Sequence, residues 1–161
     1  MRFVVTTIIA FVLTFGPSTG QASAVVGYDS EYAGESAFLN IAPGPSQPFQ
    51  VFFKNTGTTT WQKNTASQVN LAICRADKTT CNVFSPNADW NDGTWLSSIA
   101  YATTSQDIVM PGELGTFVYQ IKAPLTVPSG TYRFSGDLVL ARTLQSIHPQ
   151  GYYQEATVSG P

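Results

Sequence analysis

Gln50-Val51-Phe52-Phe53-Lys54-Asn55-Thr56-Gly57-Thr58-Thr59-Thr60-Trp61 is a strand that runs into a turn. Phe49, Val51 and Phe53 alternate with Gln50, Phe52 and Lys54, the period of two that buries one face of a sheet. Asn55-Thr56-Gly57 then reverses the chain: Asn bonds to its own backbone, and a tight exit at Gly57 is expected to need a positive φ, which only Gly adopts cheaply. A second stretch matches the first. Pro111-Gly112 opens a run through Ile121-Lys122-Ala123-Pro124 to Ser129-Gly130-Thr131-Tyr132. The two segments mark opposite ends of an antiparallel sandwich.

Between and around them the chain reads as further short strands. These are Ser36 to Ile41, Val69 to Cys74 with Asn82-Val83-Phe84 as a returning arm, Trp95 to Ala102, and Ile108-Val109. Phe117, Tyr119 and Ile121 make one buried row; Tyr132, Phe134, Leu138 and Leu140 make another, with Arg133, Ser135, Asp137 and Val139 on the opposite face. Gly151 to Val158 closes the domain. No segment after Ala24 has a helical period and none repeats. Eight or nine strands separated by turn signals indicate an all-β, immunoglobulin-like antiparallel β-sandwich.

The N-terminus carries Arg2, an apolar run from Phe3 to Phe15, and Ala22-Ser23-Ala24, the small-x-small pattern of a signal-peptidase site. The run is shorter than the roughly 20 apolar residues of a spanning helix. Residues 1–24 are therefore expected to be a cleaved signal peptide, 25–34 a short leader and 35–161 the sandwich. Loss of Arg2 takes the formal charge from −2 to −3, and no run of Lys or Arg occurs. Nucleic acid and anionic membrane surfaces need a concentrated basic patch, so neither is expected as a partner.

The candidate chemistry is sparse. Cys74 and Cys81 are the only 2 cysteines; in an exported chain, at the neck of a hairpin, they are expected to form a structural disulfide. His148 is the only histidine, and no Gly-x-Ser-x-Gly elbow accompanies it, so no catalytic residue is assigned. Asn87-x-Asp89-x-Asn91 places oxygen ligands at alternating positions, but the glycine comes one residue late and no acidic residue closes the loop; a solvated turn is expected there rather than calcium. No metal ligand set and no cofactor is assigned. Trp61 is expected to pack at the Asn-Thr-Gly corner. Trp90 and Trp95 flank the polar loop Asp89-Trp90-Asn91-Asp92, either as packed anchors or as exposed faces that contact a ligand oriented by Asp89, Asn91 and Asp92.

The order of Lys54-Asn55-Thr56-Gly57 with Trp61, Val109-Met110-Pro111-Gly112, Ala123-Pro124 and Gly130-Thr131-Tyr132 resembles the immunoglobulin-like four-tryptophan (FW) domain family, over about Pro48 to Val158. Val51 stands where that family usually has tryptophan, Gly136 stands near another such position, and Cys74 to Trp95 is an insertion. The resemblance implies a non-catalytic interaction module and turn or packing roles for Asn55, Gly57 and Trp61. The expectation is a secreted binding module for an extracellular protein or polysaccharide. A structural subunit of an envelope layer or appendage is the alternative, and a small hydrolase the third reading.

Overall fold

In the computed structural model the described residues are 25–159; the expected signal peptide, 1–24, lies outside them. The strands, in chain order, are β1 (Ser30–Glu35), β2 (Leu39–Ile41), β3 (Ser46–Asn55), β4 (Trp61–Gln62), β5 (Val69–Ile73), β6 (Ala100–Thr103), β7 (Ile108–Val109), β8 (Leu114–Lys122), β9 (Gly130–Leu140) and β10 (Tyr152–Val158). One sheet has the order β1-β3-β8, the other β2-β10-β9-β5-β6, and β4 pairs with β7 in a separate ribbon. Pairing is antiparallel except where β2 runs parallel to β10. The first edge of the chain thus serves both sheets, β1 in one and β2 in the other, and later strands cross between them. This is an immunoglobulin-like β-sandwich.

The core forms because alternation on facing strands points inward together. Phe49, Val51 and Phe53 of β3 and Phe117, Tyr119 and Ile121 of β8 meet Leu71, Ile73, Phe134, Leu138 and Tyr152 of the opposite sheet, and all are buried. Phe53 meets Phe117 and Tyr152 edge-on, each at 6.1 Å between ring centroids. Each such side chain contributes about 1.5–3 kcal/mol by leaving water.

Several expectations change: Ser36 to Ile41 narrows to β2, and Asn82-Val83-Phe84 forms no strand. The segment 25–34, read as a leader, contains most of β1, which pairs with β3 from Ser30↔Asn55 to Glu35↔Val51. Its Tyr32 packs edge-on against Phe53 at 5.7 Å, a long-range contact that the polar Asp29-Ser30-Glu31 sequence conceals. The expected strand Trp95 to Ala102 shrinks to β6, because Leu96 and Ser97 turn back onto Tyr101 and Ala100. In β9 the burial of one face in two gives way to burial on both: every residue from Phe134 to Leu140 is inside. Residues 144–151 fold back over this strand, with the Ile147 amide donating to the Leu138 carbonyl at 3.2 Å.

Candidate functional site

The loop from Asn87 to Trp95 is built on its two tryptophans. Ala88–Trp90 forms a single 3-10 turn, and the Asn87 side-chain amide donates to the Arg133 carbonyl at 2.9 Å, tying the loop to β9. Trp90 is 1% exposed and lies 4.6 Å from the Tyr132 ring and 5.4 Å from that of Phe134. Trp95 is 8% exposed, meets Tyr101 edge-on at 4.9 Å and donates its Nε1–H to the Gln120 carbonyl at 2.7 Å. The reading of these rings as exposed ligand faces is corrected: both belong to the core. The aromatic partners of Trp90 lie 42 and 44 residues away in β9, where the polar loop sequence could not reveal them, whereas Trp95 finds Tyr101 only 6 residues on.

The polar residues of the loop stay outside. Asn91 Oδ1 accepts the Gly93 and Trp95 amides at 2.9 and 3.2 Å, and Asp92 Oδ1 accepts the Thr94 amide and hydroxyl at 3.1 and 2.6 Å. Partial burial acts to raise the Asp92 carboxyl, but the hydroxyls of Thr94 and Ser46 and nearby amides outweigh it, so it titrates below its ordinary value. Asp89 remains an exposed carboxylate. Asp89, Asn91 and Asp92 share a depression of about 420 Å³ with Lys122 and with Leu125, which is 81% exposed.

The residues given structural roles are all placed. Cys74 and Cys81 form a disulfide across an antiparallel bridge. Within its ring Asp77 Oδ1 accepts the Thr79 and Thr80 amides at 2.9 and 2.8 Å. Asn55 is fully buried; its Nδ2 donates to the carbonyls of Thr59 and Val109 at 3.0 and 3.1 Å, while its Oδ1 accepts the Gly57 amide at 3.2 Å. Trp61 is fully buried beside Gly115, where a Cβ would lie 3.0 Å from the indole ring.

Gly57 needs a correction of cause. It is not among the positive-φ residues. A Cβ there would instead stand 2.5 Å from the Gly27 carbonyl oxygen and 2.7 Å from the Asp29 amide, so glycine is required by the passage of 27–29 across the turn.

His148 Nδ1 and Asp29 Oδ1 lie 2.7 Å apart with both side chains about half exposed, a surface contact joining 144–151 to the start of β1. Among the described residues no group of three or more His, Cys, Asp or Glu is arranged to hold a metal.

Two carboxylates escaped the sequence. Asp137, in β9, is fully buried; burial raises its carboxyl to about 6, against the lowering effect of the Leu138, Gln150 and Gly151 amides and the Ser146 hydroxyl. Its signal was a lone charge inside the apolar run Phe134 to Leu140. Glu35, at the end of β1, carries an Oε2 that is buried without a hydrogen-bond partner, and nothing in its local sequence announced that. Burial raises its carboxyl, an effect the Tyr32 hydroxyl opposes.

No protein-family model matches the sequence, and no curated protein matches it. Among solved structures, the chain is similar to the ASH/PapD-like domain of human CEP192 (PapD-like domain 7) at 12% identity and TM-score 0.40, covering 96% of this chain and 98% of that one. It is also similar to AvmM, described as catalysing macrocyclization in alchivemycin A biosynthesis, at 14% identity and TM-score 0.43, covering 86% and 92%. At these TM-scores neither likeness says what the chain does.

Proposed function

We propose that this protein is an exported, non-catalytic binding module of the four-tryptophan immunoglobulin-like type, which engages a protein or polysaccharide at the cell surface through the Asp89 to Asp92 loop. The observation that carries the reading is the depression joining Asp89, Asn91 and Asp92 to Lys122 and the exposed Leu125. Its loop is held from below by two buried tryptophans, so little conformational entropy is lost when a partner docks. Charges of both signs around an apolar side chain suit a polar-rimmed contact. Export is supported by the signal-like sequence of residues 1–24, by the disulfide, and by the fact that no helix among the described residues is long and apolar enough to cross a membrane.

The test is retention of the purified domain on the producer's own cell-surface material, before and after protease treatment of that material. The double variant Asp89→Ala/Leu125→Ala alters two exposed side chains and should melt with the parent while losing most of the retention. Equal retention of parent and variant removes the loop from the reading, and ordered polymers of the purified protein favour a structural subunit instead. Protease sensitivity separates a protein partner from a polysaccharide.

A further inference from the structure

Between β1 and β2 the chain leaves one sheet for the other through Ser36 to Phe38, where buried Gln154 pins it by donating from Nε2 to Ser36 Oγ at 3.0 Å. Against this crossing lies a second depression, of about 370 Å³, whose lining includes Tyr32, Glu35, Phe38, Lys78, Gln150 and Tyr153. It shares no residue with the Asp89 to Leu125 depression.

Its chemistry is unusually defined. Glu35 lines the depression beside Tyr32, and its Oε2 is buried without a hydrogen-bond partner, an arrangement that costs free energy. Gln150 has its Oε1 occupied by the Tyr32 amide at 2.8 Å, which leaves the Nε2 amide as the end able to donate. The rings of Phe38 and Tyr153 stand 5.8 Å apart, and Phe38 is 45% exposed although it is a large apolar side chain. Two cations border the aromatic wall: the Lys78 ammonium 5.8 Å and the Arg133 guanidinium 4.0 Å from the centre of the Tyr153 ring.

A ligand that satisfies this pocket donates a hydrogen bond to Glu35, accepts from Gln150 and Lys78, and lays apolar surface on Phe38 and Tyr153. A cationic amine would meet Lys78, and an anion would meet Glu35, each a repulsion at short range; the Arg133 guanidinium is already paired with Glu155 at 2.8 Å. A sugar hydroxyl both donates and accepts, and the C–H face of a pyranose ring suits an aromatic side chain. We propose that this pocket holds one neutral pyranose unit of an extracellular polysaccharide. It rests on the preceding reading only for export of the chain, which brings the pocket to such a ligand; the loop surface is not involved.

The experiment is an amide chemical-shift titration of the domain from Val25 onward with methyl glucoside, galactoside, mannoside and N-acetylglucosaminide and their short oligosaccharides, with choline as the cationic probe. At least one neutral sugar should give saturable shifts centred on Glu35, Phe38, Lys78 and Gln150, while choline gives none. Phe38→Ala, which truncates an exposed ring, should weaken that sugar about tenfold or more. Glu35→Gln, which turns one acceptor oxygen into a donor, should do the same. Asp89→Ala/Leu125→Ala should bind it like the parent, so loss of the loop's partner and loss of the sugar are read separately. The proposal is overturned if no neutral sugar saturates, if choline binds in their place, or if Phe38→Ala binds as the parent does; should Glu35→Gln fail to fold, Phe38→Ala decides alone.

Discussion

Gly57 shows how a residue can be read correctly and for the wrong reason. Its neighbour Asn55 organises the turn as the sequence implied, but the demand for glycine comes from backbone at residues 27 and 29 rather than from φ. Main-chain atoms cannot swing aside as a side-chain end does. Gly57→Ala is therefore expected to destabilise by about 1–3 kcal/mol, the usual cost of forcing an extra methyl into a packed site. Urea unfolding of parent and variant checks this, and coincident curves would mean that the close approach does not exist. The opposite lesson comes from Trp90 and Trp95. Their polar neighbours left packing and exposure both open, and the structure makes removal of either ring a core truncation costing about 3–5 kcal/mol.

At the scale of the element, β9 departs furthest from its sequence pattern. A half-buried strand tolerates Asp at every second position, but the return of 144–151 over β9 encloses Asp137. The carboxyl titrates near 6 in the folded protein and near 3.9 in the unfolded chain. Between those values the folded state binds more protons, so stability is greatest below the unfolded pKa and is lost as pH rises through about 6. The difference amounts to about 3 kcal/mol. Asp137→Asn has no such titration. Stability of the parent relative to Asp137→Asn should fall by that order between pH 4 and pH 7, measured by urea unfolding at intervals across the range; a constant difference would show that Asp137 is not held as described. Contributions common to both proteins cancel. The Cys74 to Cys81 element behaves as read: its closed ring contributes about 2.5 kcal/mol in the chain-entropy account, and its turn is completed by Asp77 capping Thr79 and Thr80.

For the whole molecule the first question is where the mature chain begins. Val25 packs against the core, and its carbonyl accepts the Tyr28 amide at 3.0 Å, so a protein starting there keeps the entire sandwich. Intact mass of protein recovered outside the producing cells should correspond to an N-terminus at Val25, and exported material retaining Met1 would defeat the signal-peptide reading. Local physics made the fold class legible. Alternation at Phe49 to Phe53 and at Phe117 to Ile121, the side-chain chemistry of Asn55, and paired cysteines in one short loop each act within a few residues, so these local signals were enough for the β-sandwich, its principal strands and its disulfide. Tertiary structure alone decided which side chains face water. The Trp90 ring is covered by Tyr132, Gly57 is crowded by Gly27, Tyr32 is bonded to Gln150, and the Glu35 carboxylate is enclosed where the chain changes sheets. Those contacts join segments 30 to 118 residues apart, and burial is a property of what packs over a residue, which neither period nor composition encodes.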